Sequence, residues 1–227
     1  MPILKLFLFF QIICLEACEF DKATSDRLFI SLGCNCDVAV QLRDRNLREE
    51  AFPFDWLNTS NHDRISEILD DDFQYFVEED CLFQNENRAF IENRCYEIEF
   101  RHENILRDLK NDLDEIATKY KRRIDRFREL RNYKGKVFFI RTAYHVENSG
   151  KWYWYQDSHR NISVDQAKTL HEALERFFPF LDFTLVIINF KEEKGPKIEN
   201  ISGVLEFKIR KDHKTVDYMR LISSLSA

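Results

Sequence analysis

The chain has 227 residues, 44% of them hydrophobic and 21 of them Phe, enough to bury the core of one sizeable domain without covalent staples. Only 5 Gly and 4 Pro argue against repeats, linkers and low-complexity segments. A net charge of −6 argues against nucleic acid as the main partner, since duplex binding needs a basic surface.

Residues 1–20 read as a leader. Lys5 precedes an apolar run from Leu6 to Leu15, too short to span a bilayer but the length of the central region of a secretory signal. Ala17 suits cleavage, and Leu15-Glu16-Ala17-Cys18 is similar to a lipoprotein processing box that would lipidate Cys18. This predicts a secreted or membrane-anchored protein, with residues 21–227 as one domain and the membrane met only through the leader or its lipid. A buried N-terminal element in a cytoplasmic protein is the other reading. Export would permit Cys81 and Cys95 to bridge and would make the sequons at Asn58, Asn161 and Asn200 relevant in a eukaryotic pathway.

The apolar run Leu28–Leu32 ends at Gly33 and reads as a buried strand. Asp37 to Leu47 reads as a helix capped by Asn35 or Asp37, "AFPFDW" as a packed loop, and residues 61–70 as a second helix. Residues 70–95 suit short strands or loops equally, and Tyr96–Phe100 alternates as a strand. From Glu103 to about Arg131, apolar residues recur three or four apart: Leu106, Leu109, Leu113, Ile116, Tyr120, Ile124, Phe127 and Leu130. That predicts a helix of about 40 Å at about 1.5 Å per residue, with Lys119, Lys121, Arg122, Arg123, Arg126 and Arg128 as its wet face or an anion patch.

"KVFFIRT" and "FTLVIINF" are apolar enough for central strands, and "VLEFKIR" alternates as a sheet edge. Ser163 caps a helix with Ala167, Leu170, Leu174 and Phe177 on one face, and "VDYMRLISSL" closes the chain as a helix. Strand–helix alternation predicts an α/β domain with a largely parallel sheet and helices on both faces, a Rossmann-like three-layer arrangement. There is no G-x-G-x-x-G and no Walker loop, so no cofactor is expected. Cys34-x-Cys36 lacks zinc-knuckle spacing and no second close Cys/His pair follows, so no metal is expected either.

In an open parallel sheet, ligands gather beyond the carboxyl ends of the strands. Gly33 to Cys36 stands at such an end and opens a helix, where backbone N–H groups favour an anion and lower a thiol pKa. Gly33, Asn35, Trp56 and Arg141 are the ligand-binding candidates on this reasoning, with a core-edge salt bridge as the other reading of Arg141.

"ISLGCNCDVAVQLRDRNLREEAFPFDW", the later "RH" and "KYKRRIDRF" before "KVFFIRT" resemble a bacterial and viral family of unknown function whose members carry the label "putative papain-like cysteine peptidases". The resemblance covers about residues 28 to 190. In the family pattern Ser commonly stands at the place of Cys34, and the recurring cysteine aligns with Cys36. The resemblance implies Cys36 as nucleophile, His102 as general base and Asp55 of "PFDW" as orienter. It also implies a papain-like α+β fold, which stands here as the alternative to the parallel sheet. His145 and His159 flank an aromatic loop and are substitutes for His102.

Three functions follow as expectations. The first is a cysteine-dependent hydrolase, a peptidase or related acyl-transfer enzyme acting on a peptide. The second is a glycosyltransferase-like enzyme acting on a glycan, with Trp152, Tyr153, Trp154 and Tyr155 stacking sugars and Arg141 assisting a donor. The third is a secreted interaction protein without catalysis, using the same aromatic patch as a contact.

Overall fold

The computed structural model describes residues 27–85, 90–103, 109–143, 161–191, 197–210 and 214–226. The leader, His145, His159 and the Trp152–Tyr155 patch lie outside the described residues.

Four strands form an entirely parallel sheet: β1 (Arg27–Ser31), β5 (Lys136–Thr142), β6 (Phe183–Phe190) and β7 (Val204–Ile209), in the order β1-β5-β6-β7. Three short strands form a separate antiparallel sheet: β2 (Leu82–Asn85), β3 (Phe90–Asn93) and β4 (Ile98–Phe100). The helices are α1 (Asp37–Arg43), α2 (Asp63–Asp70), α3 (Leu109–Glu129), α4 (Val164–Phe177) and α5 (Lys214–Ser226). The chain is thus a mixed α/β protein, as its strand–helix alternation predicts.

The inner strands are the two most apolar ones, because both faces of an inner parallel strand are covered. Val137 and Phe139 of β5 and Leu185 to Ile188 of β6 are wholly buried. The alternating strand β7 is at the edge, with Leu205 exposed. Phe139 of β5 packs on Phe127 of α3, while Thr142, of opposite parity, lies beside Tyr218 of α5. Adjacent residues of one strand therefore meet helices on opposite sides of the sheet. The strand order never reverses, so the sheet has no internal crevice of the switch-point kind. A site at its carboxyl edge therefore needs walls from connecting segments such as the loop that follows β1.

One expectation needs correction. The strand read at Tyr96–Phe100 is not part of the parallel sheet; its ordered part, β4, closes the antiparallel one. Alternation reveals a strand but carries no information about which sheet receives it. The described part of the long helix, α3, runs from Leu109 to Glu129, about 32 Å at about 1.5 Å per residue, and gives way to a 3-10 turn at Leu130–Asn132; residues 104–108, where the sequence pattern starts, lie outside the described residues. Its buried residues Leu113, Ile116, Tyr120, Ile124 and Phe127 are the predicted stripe. Helix α4 carries the predicted cap in full: Gln166 N–H donates to Ser163 Oγ, and Ser163 N–H donates to the Gln166 side chain.

Cys81 and Cys95 are joined by a disulfide that closes β2 onto the end of β3. Arg94 N–H also donates to the Cys81 carbonyl. An isolated three-stranded sheet of such short strands is marginal on its own. The bridge spans 14 residues, a loop for which chain-entropy reasoning gives about 3 kcal/mol. Urea unfolding of the Cys81→Ser/Cys95→Ser variant should show a stability loss of about that size relative to wild type.

Candidate functional site

The site forms where β1 runs out. Gly33 has φ +76° and Cys34 has φ +82°, two consecutive left-handed residues that turn the chain sharply into α1. Glycine is required at 33 by space as well as by φ, since a Cβ would lie 2.9 Å from the Phe54 carbonyl oxygen. Cysteine at 34 holds a conformation that costs a non-glycine residue about 1–3 kcal/mol, so the surroundings must enforce it. They do: Gly33 N–H donates to Ser31 Oγ, Cys34 N–H donates to Thr59 Oγ1, and Thr59 N–H donates to the Cys34 carbonyl.

The turn delivers Cys36 to the N-cap position of α1, where it is half-buried and not disulfide-bonded. Its side chain makes no capping bond; Asn35 takes that role, accepting from Asp37 N–H through Oδ1 and donating to the Asp37 carboxylate. Cys34 is also free of any disulfide but fully buried. Of the two thiols, Cys36 is the one solvent can reach.

The "PFDW" loop forms the adjoining wall. Phe52 and Phe54 point inward onto Phe127 of α3, and Asp55 is buried beside them. One oxygen of Asp55 accepts from Arg48 Nε and from Phe52 N–H, each at 2.8 Å. The other has no hydrogen-bond partner among the described residues. Burial pushes this carboxyl up to about 6 against the opposing attraction of Arg48. Asp55 thus braces the loop internally through Arg48. The next residue, Trp56, turns outward and stands half-buried between the Arg48 guanidinium, 5.1 Å from its ring, and that of Arg43, at 6.0 Å.

The Asp55 geometry has a pH consequence. The folded protein holds the Asp55 proton more tightly than the unfolded chain, whose value is near 3.8. Stability is therefore greatest below that value and falls as pH rises from 3.8 to about 6. The difference amounts to about 3 kcal/mol. Asn at this position cannot titrate. Denaturant titrations of wild type and Asp55→Asn at several pH values should show the variant gaining on wild type by that order as pH rises through the window. A constant gap would show that Asp55 titrates alike in both states.

His102 stands just after the last strand of the antiparallel sheet. Asn58 and Glu99 form a two-way backbone bridge, which fastens the segment after Trp56 to β4. His102 follows β4 in an exposed turn, and its ring meets Trp56 edge-on at 5.4 Å. Its neighbours are pinned: Arg101 donates to buried Glu99 at 2.7 Å, and buried Glu103 pairs with Lys119. That leaves His102 as the residue of the turn presented outward. Hydrogen bonds thus link the Cys34 turn to Thr59, and its chain neighbour Asn58 to β4, the strand that precedes the His102 turn.

Arg141 lies beneath all of this, wholly buried at the end of β5. Its Nη1 donates to the Leu32 carbonyl at 2.8 Å and to Thr59 Oγ1 at 2.5 Å. Its Nη2 donates to the Thr59 carbonyl and lies 3.1 Å from His62 Nδ1. Arginine only donates, so His62 accepts here and carries no proton on Nδ1. Arg141 therefore ties the β1 loop to the 59–62 loop from within and presents no surface to solvent in this conformation. Burial pulls it down to about 10, so it stays charged at neutral pH.

Three residues of this assembly carried no signal in the sequence: Thr59, His62 and Tyr218. Tyr218 is fully buried on α5, within the electrostatic reach of Asp37 and Cys34, and burial pushes its hydroxyl up. Among the described residues no group of three or more His, Cys, Asp or Glu side chains is arranged to hold a metal ion. Among the same residues no helix is long and apolar enough to cross a membrane.

A strand-to-helix turn at the carboxyl edge of a parallel sheet, with an accessible cysteine at the helix start, defines an α/β protein with a thiol-bearing edge site. The chain belongs to the family described as "Putative papain-like cysteine peptidase", whose model matches residues 27–193, and this span includes Cys36, Asp55 and His102. It is also similar to uncharacterized protein R408 of Acanthamoeba polyphaga mimivirus, 29% identical over 147 residues, covering 53% of this chain and 64% of the viral protein. No solved structure matches it.

Proposed function

We propose that the protein is a cysteine-dependent hydrolase of the peptidase or acyl-transfer type, with Cys36 as the nucleophile. One observation carries this reading: Cys36, the cysteine to which the family resemblance points, is the accessible thiol of the turn, whereas its neighbour Cys34 is sealed inside. In the proposed reaction the Cys36 thiolate attacks a peptide carbonyl and an imidazole takes and returns the proton. His102 supplies that imidazole. It is exposed, held on a braced turn, and joined to the Cys34 loop through the Thr59–Asn58–Glu99 hydrogen bonds. Trp56, flanked by Arg43 and Arg48, would form the substrate platform. Asp55 holds this platform in place through Arg48 rather than touching the reaction.

Export to an oxidising compartment belongs to the same proposal, supported by the Cys81–Cys95 bridge, because such bonds persist outside the reducing cytosol. The test of function is incubation with a proteome-derived peptide library and mass spectrometry of new termini. Cleavage by wild type and its loss in Cys36→Ala is the expected result. Undiminished cleavage by Cys36→Ala would remove Cys36 from the mechanism.

A further inference from the structure

The chain carries Asn-x-Ser sequons at Asn58, Asn161 and Asn200, and the fold treats them differently. An N-linked glycan is bulky and belongs on the surface. The folded protein can carry one only where the asparagine side-chain nitrogen stands free and solvent surrounds it.

Asn58 meets neither condition. Its side-chain nitrogen donates to Glu99 Oε2 at 3.2 Å, its backbone makes the two-way bridge to Glu99, and Thr59 and Ser60 behind it are buried. A sugar on that nitrogen would break the junction between the "PFDW" loop and β4. Asn161 is held as firmly, and its Oδ1 is buried. Ile162 N–H donates to Asn189 Oδ1 at 2.9 Å, and Asn189 Nδ2 donates back to the Ile162 carbonyl at 3.1 Å. The sequon hydroxyl, Ser163 Oγ, accepts from Gln166 N–H as the cap of α4.

Asn200 is the opposite case. Asn200 and Ser202 are exposed, while Ile201 between them packs against the core. The asparagine and the hydroxyl residue of this sequon therefore stand in solvent on either side of an anchored residue. The segment is a turn fixed by its backbone: Val204 N–H donates to the Ile201 carbonyl at 3.2 Å, and Leu185 N–H donates to the Gly203 carbonyl at 2.8 Å. Asn200 has φ +63°, a left-handed conformation that asparagine tolerates. The turn leads into the amino end of β7, whereas the Cys36 turn lies beyond the carboxyl end of β1 in the same parallel sheet. A glycan at Asn200 leaves the candidate site uncovered.

We infer that Asn200 is an N-glycan acceptor of the folded protein and that Asn58 and Asn161 carry no sugar. This role goes beyond the hydrolase reading and rests on the export proposed with it, because the donor is met in a eukaryotic secretory compartment. The donor class is an oligosaccharide joined through a diphosphate to a polyisoprenoid lipid. Asn200 Nδ2 forms a bond to the anomeric carbon, and the bond from that carbon to the diphosphate oxygen breaks. The lipid diphosphate leaves with the electron pair, and one amide proton passes to solvent.

The test is secretion of the full chain from cultured eukaryotic cells, once with its own N-terminus and once behind an added secretory signal. Enzymatic deglycosylation in heavy-oxygen water turns each occupied asparagine into labelled aspartate, and peptide mass spectrometry reads the three positions separately. The expected result is one glycan per secreted chain, at Asn200. It should vanish in Asn200→Asp, which keeps a residue tolerant of left-handed φ, and in Ser202→Ala, which keeps Asn200 but removes the hydroxyl. Secreted, folded protein with Asn200 unoccupied, or with sugar on Asn58 or Asn161, would overturn the inference. Secretion of the signal-bearing form alone, with Asn200 occupied, would support the acceptor site while removing the export reading.

Discussion

Cys36→Ala is expected to fold as wild type does, to lose at least about a thousandfold in peptide cleavage, and to lose alkylation at that position. Folding should survive because the half-buried Cys36 side chain does not cap α1, so the helix start keeps its Asn35–Asp37 hydrogen bonds. Alkylation should be selective because access differs so sharply among the cysteines. Cys34 is sealed, Cys81 and Cys95 are bonded to each other, and Cys36 is the partly open free thiol among the described residues. Fragmentation mass spectrometry of the peptide spanning residues 34 and 36 resolves which sulfur carries the adduct. Labelling of Cys34 with Cys36 untouched would place the reactive thiol one turn away from the proposed site. Replacing His102 by Ala gives the companion measurement: its side chain is exposed, so stability should change little, while the pH profile of Cys36 alkylation should move toward that of a simple thiol.

What the sequence shows of this molecule is what short-range periodicity can encode. The stripe of α3, the Ser163 capping box and the unbroken apolar runs of β5 and β6 are each specified within a few residues. The β2–β3 region was not legible for a physical reason. Strand β3 reads "FIEN", and all four residues are buried, Glu92 and Asn93 included. Asn93 earns its place by donating to the carbonyls of Tyr75 and Phe76, a long-range satisfaction that inverts the usual polar-out pattern. The site divides in the same way. A strand ending in glycine before a helix marks the Gly33–Cys36 turn. The strut beneath it does not show, because Arg141 meets Thr59 and His62 across 82 and 79 residues of sequence. Tyr218 enters from the last helix, whose own pattern is that of any amphipathic segment.

Arg141→Met should be the most damaging single substitution at this end of the sheet, costing about 3–5 kcal/mol of folding free energy. Methionine fills much of the same volume, so the loss measures hydrogen bonds and charge more than a cavity. The guanidinium satisfies the Leu32 carbonyl, the Thr59 carbonyl and Thr59 Oγ1, all of them sealed from water. Each acceptor stranded by the change costs about 1–3 kcal/mol, and neither loop holds another cation that could replace the lost donor. The damage should spread along the hydrogen bonds Arg141 anchors: first the Thr59–Cys34 pair, then the left-handed Gly33–Cys34 turn, which has no favourable conformation of its own to fall back on. Urea unfolding gives the free energy, and hydrogen exchange at the Cys34 and Thr59 amides gives the location. A loss below about 1 kcal/mol, with those amides still protected, would mean that the turn is held from outside by Phe54 and the "PFDW" loop. Lysine is the sharper companion substitution, because it keeps the charge but cannot donate to three acceptors in one plane. If Arg141→Lys is nearly as unstable as Arg141→Met, the fork geometry of the guanidinium is what the fold requires; if it is close to wild type, the charge alone suffices.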